Sequence, residues 1–304
     1  MTPDQKVVLL IFAGLTGLLV GSFLNVCIFR LPRECMSIVK PRSRCISCRN
    51  FIAWYDNIPV VSWLVLGGKC RHCKTPISFR YIAVEMLTGA IFAWAAYVQL
   101  YHGRADWEWE RAVWFGVQAG LASALIVCTF IDLEFTILPD EITLGGLVLG
   151  VVVGGAFSFI YQQTDKYAAI VPSRFPFLAD ALRPVAVGLV HASVGAVVGG
   201  GLIWLIGFLG KIAFRKEAMG FGDVKLMAFL GAFLGPQAII MALFLAVFLG
   251  AMFGIGKLII VRRMGYVPFG PFLSAGALVM VFAAPLVWDG IDAYITFIRG
   301  SVDR

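Results

Sequence analysis

The sequence predicts an all-α polytopic membrane protein with about eight transmembrane helices and a small cytoplasmic domain inserted after the first of them. Three observations carry this reading. Of 304 residues, 60% are hydrophobic and 14% charged, and the mean hydropathy is +0.87, more apolar than a soluble domain tolerates. Seven apolar runs, at residues 7–29, 82–101, 112–131, 142–161, 185–208, 239–261 and 272–297, have the roughly 17 to 25 residues that a bilayer crossing requires. An eighth run, residues 224–234, is shorter; it begins after Asp223 and stops at Gly235-Pro236, where proline ends a helix.

The first run is a span and not a cleavable leader. The apolar stretch after Lys6 outlasts a signal h-region and runs into Gly21-Ser22-Phe23-Leu24-Asn25 without a small-residue cleavage site. Gly14, Gly17 and Gly21 recur in it at three- and four-residue spacing, as do Gly150 with Gly154 and Gly250 with Gly254, a pattern that lets helices pack closely. Asn25, near the inner end of the span, is expected to donate a hydrogen bond between helices. Cys27 and Cys128 lie inside spans as buried apolar residues.

Orientation follows from the Lys/Arg bias of short loops. Residues 31–82 carry Arg33, Lys40, Arg42, Arg44, Arg49, Lys69, Arg71, Lys74 and Arg80 against Glu34 and Asp56, which places this loop in the cytoplasm. Alternation then puts 102–111 outside, 132–141 inside, and the basic segments at Lys211 to Lys216 and at Arg262-Arg263 inside, with both termini outside. The net charge of +7 is explained by this bias and by contact with anionic membrane lipid, so no nucleic acid partner is implied.

The first cytoplasmic loop is too long for a plain connector. It holds Cys45-Ile46-Ser47-Cys48 and Cys70-Arg71-His72-Cys73, two C-x2-C pairs at the spacing of a four-thiolate Zn2+ site. Disulfides are the alternative, and the reducing cytoplasm argues against them. His72 sits within a knuckle without ligating, and Cys35 is an unneeded extra thiol. Trp54, Tyr55 and Trp63 are expected to form a small apolar core between the knuckles, stabilised by the metal. This gives residues 1–30 as the first span, 31–82 as the zinc-binding domain and 83–304 as the remaining membrane domain.

The remaining chemistry lies in carboxylates at the membrane edge. Gly220-Phe221-Gly222-Asp223 forms a GxGD motif; an aspartate beside an apolar helix is expensive to desolvate and marks a functional hypothesis. Gly220 and Gly222 remove side chains on the approach to Asp223, allowing positive φ or a close-lying extended substrate. The plain alternative is a glycine turn with Asp223 as a helix N-cap. Asp132 closes the run 122–131 at the same side and depth as Asp223, which makes it the partner in an aspartyl dyad. Asp140, after Pro139 and before Glu141, reads as an N-cap. His72, His102 and His191 fall in three compartments, so no histidine metal site is expected; P-loop, nucleophile-elbow and zincin motifs are absent.

These residues resemble the bacterial type IV prepilin peptidases, the leader peptidase and N-methyltransferase enzymes that serve type IV pili, type II secretion and competence pseudopili. The resemblance covers nearly the whole chain. It rests on the segment 21–26 with Arg30-Leu31-Pro32, the paired knuckles with Asn57-Ile58-Pro59 and residues 66–70, Asp132 with Leu138-Pro139-Asp140, residues 216–225, and Pro268-Phe269-Gly270-Pro271. It implies an enzyme of the inner membrane that cleaves the basic leader of prepilins and pseudopilins after glycine on the cytoplasmic side. The enzyme then methylates the new N-terminal amine with S-adenosyl-L-methionine. Its catalytic aspartates fall on Asp132 and Asp223, its zinc cysteines on Cys45, Cys48, Cys70 and Cys73, and a methylation-linked glycine on Gly68. The stretch 161–184 is longer than in compact members. Two rivals are a presenilin-type or signal-peptide-peptidase-type intramembrane protease, which the zinc loop and the Ile131-Asp132 pair disfavour, and a proton- or cation-coupled transporter, for which no inverted repeat is visible.

Overall fold

The computed structural model describes residues 2–33, 37–40, 42–101, 108–158, 160, 183–215, 220–261 and 267–302. The readings made of Cys35, His102, Lys216, Arg262-Arg263 and most of 161–184 fall outside the described residues. The described chain is helical, with two isolated β-bridges, and divides into two compact units, Met1–Phe135 and Thr136–Arg304. This division differs from the boundaries drawn at residues 30 and 82: in the first unit, the insertion and three long helices form one body.

In the first unit α1 (Pro3–Arg30) starts at Thr2, whose hydroxyl and backbone form a capping box with Gln5. The short α2 (Val61–Val65) belongs to the insertion, and α3 (Arg80–Tyr101) and α4 (Glu108–Phe135) complete the unit. A Cβ on Gly17 would lie 2.8 Å from Gly89 Cα, and one on Gly21 2.8 Å from Glu85 Cα. The small-residue face of α1 therefore sits directly on the α3 backbone, as its spacing predicts. Asn25 Nδ2 donates to Tyr81 O at 3.0 Å, the expected interhelical bond. Gln99 Nε2 donates to Gln118 Oε1 at 3.0 Å between α3 and α4, a buried polar tie that sequence reading missed.

The apolar core expected inside the insertion is not formed. Trp54 is 74% and Tyr55 50% exposed, while Trp63 stands edge-on to Phe79 with ring centroids 6.2 Å apart. The physical reason is size: so short a segment, whose described residues hold two 3-10 turns (Leu31–Arg33 and Trp54–Asn57) and α2, has too little interior to cover two large rings. Its cohesion lies in polar and sulfur contacts instead.

The second unit contains α5 (Asp140–Ala156), α6 (Arg183–Phe214), α7 (Phe221–Leu234), α8 (Pro236–Val261) and α9 (Gly270–Val302). Its hub is α7, buried from Leu226 to Met227 and from Phe229 to Leu234. The fit is tight because α6 approaches through glycine: a Cβ on Gly195 would lie 2.1 Å from Gly231 O. Gly235, at φ +82°, turns the chain into Pro236 and α8, the tight turn read from Gly-Pro. Gly150 packs on Ala232 and Phe233 as expected, whereas Gly254 faces open space, so close packing does not explain that glycine. In α9, Pro285 accompanies a kink at Ala283.

Six helices among the described residues are long and apolar enough to cross a bilayer. The other two expected spans are shorter: α5 has 17 residues and α7 has 14, about 26 and 21 Å at 1.5 Å per residue, against a hydrocarbon core of about 30 Å.

Candidate functional site

The four predicted zinc cysteines converge. Each knuckle is closed in the same way: Cys45 N–H donates to Asn50 O and Arg49 N–H to Cys45 O, both at 2.9 Å, while Cys70 N–H donates to Thr75 O at 2.9 Å and Lys74 N–H to Cys70 O at 3.0 Å. Arg49 at φ 59° and Lys74 at φ 58° take the same left-handed turn, and the bridges Arg44 to Phe51 and Lys69 to Pro76 fasten each loop base. All four Sγ atoms lie within 4.8 Å of one another, and Cys45 and Cys73 Sγ are 3.7 Å apart. The edge of an S4 tetrahedron with Zn–S of about 2.3 Å is about 3.8 Å, so this donor set fits zinc. His72 stays outside the cluster, and no disulfide links these cysteines.

Protons are unevenly held by these crowded sulfurs. The Thr75 hydroxyl and backbone bring Cys73 down to about 6. For Cys48 the Asn50 backbone bond also pulls downward, but desolvation and the neighbouring thiols outweigh it and leave the group at about 11. Crowding forbids four adjacent thiolates without a cation, and a divalent metal removes that conflict by displacing the protons. Beside the cluster, Arg71 grips Asp56 through two hydrogen bonds of 2.7 and 2.5 Å. This pairing holds the Asp56 carboxyl below its ordinary range and ties the second knuckle to the 3-10 turn.

Gly68 is shaped by packing. Its φ is +67°, and a Cβ there would lie 2.9 Å from Trp63 Cζ2. Its N–H donates to Trp63 O at 2.8 Å, and its carbonyl accepts from Ile77 N–H at 2.6 Å. Glycine is thus required twice, for backbone sign and for the ring.

Asp132 lies in the last turn of α4, 6% exposed, after the buried run Leu125 to Cys128 and Ile131. Asp223 is half-buried in the first turn of α7, whose N-cap is Gly220, so the N-cap reading of Asp223 is replaced by a third helical position. Its carboxylate still benefits from the positive helix end. Gly220 has φ −74°, and Gly222 is not among the positive-φ glycines; positive φ is therefore not why they are glycine. A Cβ on Gly222 would press on Leu138 at 3.2 Å, so close approach explains that glycine; one on Gly220 would meet Asp223 Oδ2 at 3.8 Å, an ordinary contact, and packing does not explain it. Asp140 is also corrected. Pro139 is the N-cap of α5, and the Asp140 carboxylate instead receives Lys225 Nζ at 2.7 and 2.9 Å, two residues beyond Asp223.

A cavity of about 840 Å³ lies among the C-terminal end of α1, the start of α3 and the thiol-bearing loops. Sequence reading missed it. Its outward signal is three polar positions, Ser22 and Asn25 on α1 and Glu85 on α3, inside otherwise apolar runs.

The fold and these groups define a polytopic helical membrane protein with a four-cysteine cluster able to hold a metal and two aspartates at helix ends. Residues 15–99 match the Bacterial Peptidase A24 N-terminal domain, and residues 119–255 match the Type IV leader peptidase family. The prepilin leader peptidase/N-methyltransferases of Neisseria gonorrhoeae and Dichelobacter nodosus are 32% and 33% identical to this chain, covering 93% and 90% of it and 94% and 92% of themselves. The Myxococcus xanthus protein of the same name is 38% identical over 84% of this chain, which spans 65% of that relative's length. The chain belongs to the type IV leader peptidase family. No solved structure matches it.

Proposed function

We propose that this protein processes prepilins and pseudopilins in two steps, cleaving the basic leader after glycine and then methylating the exposed amine. The observation that carries this is the division of groups between the two family matches: Asp132 and Asp223 both fall in 119–255, and all four cysteines and Gly68 fall in 15–99. In the proposed cleavage step Asp132 and Asp223 act as a dyad that shares one proton, because two carboxylates serving one site cannot both ionise cheaply. The ionised member draws a proton from water, and the protonated member polarises the scissile carbonyl; the proton belongs to the pair. Gly220 leaves room for an extended substrate beside Asp223, and Gly222 lets Leu138 pack against the same loop. Zinc is structural, held by Cys45, Cys48, Cys70 and Cys73, and S-adenosyl-L-methionine supplies the activated methyl group. The test is incubation of the detergent-solubilised protein with a prepilin and labelled methyl donor. A shortened pilin carrying label at its new N-terminus is expected; an intact prepilin overturns the cleavage reading.

The protein is proposed to lie in the bacterial inner membrane, with lipid along its exposed apolar helix faces and its active site toward the cytoplasm. The nine basic residues against two acidic ones in 31–82 support this, and counting α5 and α7 as short spans gives eight crossings with both termini outside. A periplasm-active reporter fused after Arg304 is therefore expected to be active. A cytoplasmic signal from that fusion removes one short helix from the count.

Gly68 acts in this scheme as a positioning residue. Gly68→Ala is expected to displace Trp63 and lower methylation at least about 10-fold, since a strained left-handed backbone and a ring clash each cost on the order of 1 kcal/mol or more. Zinc content and leader cleavage, measured on the same preparation, should stay near those of the unaltered protein.

A further inference from the structure

The short helix α2 is turned the wrong way for a surface that meets water. Its polar residue, Ser62, is buried and donates to Tyr55 O at 2.8 Å, and Ser62 and Trp63 line the cavity. Val61, Leu64 and Val65 stand at the i, i+3, i+4 spacing of one helical stripe and are 53%, 61% and 76% exposed. A helix on an aqueous surface buries its apolar stripe and shows its polar one. Here the apolar stripe is outward, and none of its three residues lines the cavity.

The depth of α2 says what covers that stripe. α3 has 22 residues, about 33 Å at 1.5 Å per residue, so it crosses a hydrocarbon core of about 30 Å with almost no length to spare. Arg80, its first residue, therefore stands at one edge of that core, and Glu85 lies about 7 Å further along the helix. Met86 and Leu87 beside it are exposed, as the lipid-facing residues of a span are. The Glu85 carboxylate accepts the Val60 N–H at 2.8 Å, and Trp63 meets the ring of Phe79, the residue before α3. Both contacts fasten α2 to the turns where α3 enters the membrane. Val60, the N-cap of α2, is β-branched yet held at φ 61°, a conformation that persists only where the surroundings fix it.

We propose that α2 is an interfacial element: Val61, Leu64 and Val65 enter the leaflet that the insertion faces, and the insertion rests on the bilayer surface. Continuity with the lipid-facing side of α3 favours lipid over a second protein. Charge agrees, since nine basic residues against two acidic ones in 31–82 suit anionic headgroups, and apolar side chains with basic neighbours are how a helix lies in a membrane interface. The reversed polarity of α2 then has a physical cause: its outer face meets hydrocarbon and its inner face a polar cavity. That cavity is thereby held at the leaflet surface, within reach of a substrate anchored in the bilayer.

The test is photocrosslinking of the zinc-loaded full chain in nanodiscs of phosphatidylethanolamine and phosphatidylglycerol. The probe p-benzoylphenylalanine is placed at Leu64 and, as the lipid-facing reference, at Met86, and adducts are read by intact mass. A lipid adduct at Leu64 in yield comparable to that at Met86 is expected. An adduct there with a second copy of the chain, or with prepilin added to the same discs, in place of lipid makes this face a protein-docking surface and overturns the proposal. The absence of any adduct at Leu64 while Met86 is labelled overturns it too. Independently, Leu64→Glu should raise backbone hydrogen exchange over residues 61–66 at least about 10-fold in the same nanodiscs, the fold-change for about one apolar side chain lost from an apolar medium. Unchanged exchange means that the stripe faces water, because glutamate is a good helix former on an aqueous surface, and overturns the proposal. Zinc content and circular dichroism check folding; if Leu64→Glu fails them, the crosslink decides.

Discussion

Asp132→Asn and Asp223→Asn are each expected to lower leader cleavage by about 10³-fold or more, whereas Asp140→Asn should leave most of it. An amide neither accepts a proton from water nor shares the proton on which a carboxylate pair depends, and general acid–base groups are worth about 10² to 10⁴ apiece. Because the two act as a unit, the double substitution should cost little more than either single one. Asp140 is a different case. Its carboxylate is 56% exposed where it meets Lys225, and an ion pair in that setting contributes only about 0 to 1 kcal/mol. Folding should survive Asp132→Asn, since replacing a buried carboxylate by an amide lowers the desolvation cost. A cleavage assay on matched amounts of the three variants checks this. Near-normal cleavage by Asp132→Asn with a dead Asp140→Asn would mean the wrong partner was chosen.

What could be read from the sequence was whatever has a short period or a fixed spacing. The long apolar runs gave the six spanning helices, because lipid demands continuous hydrophobicity at a set length. The paired C-x2-C motifs gave the thiol cluster, because each knuckle is a local turn, and the two need only meet. Gly17 and Gly21 on α3, and the Gly235 turn, were legible for the same reason.

Features set by partners distant in sequence were not legible. Nothing local says that Asp140 ends on Lys225, 85 residues away, and a carboxylate after proline imitates a cap. The positive φ imagined for Gly220 belongs instead to Gly67, Gly68 and Gly235; a glycine's role depends on what a Cβ would meet. Trp54 and Tyr55 looked like core because they are aromatic, but the insertion lacks the volume to bury them. The cavity was invisible because Asn25 and Glu85 become neighbours only when α1 rests on α3, and one half of the Asn25 amide had a satisfactory explanation already.

Removal of one thiolate should dismantle the insertion. Cys70→Ser leaves three sulfur ligands and a hydroxyl that binds zinc poorly, so metal content should fall from about one per chain to a small fraction. The loss matters because the metal replaces a core: with Trp54 and Tyr55 in solvent, the described loops are held by the knuckle hydrogen bonds, the two bridges and the Arg71–Asp56 pair. Structural zinc contributes on the order of 10 kcal/mol to folding in small modules of this kind, more than such exposed polar contacts supply. Limited proteolysis should then cut within 31–82, while the spanning helices, buried against one another through glycine, stay protected. The sign with pH is set by the ligands being thiolates: protons compete with the metal, so zinc should be lost as pH falls and retained as it rises. Chelator treatment of the unaltered protein should reproduce the same proteolytic pattern, and added Zn2+ should reverse it. Metal analysis that finds no zinc in protein prepared without chelator, or a Cys70→Ser protein with full zinc and an uncut insertion, would remove the four-thiolate centre from this account.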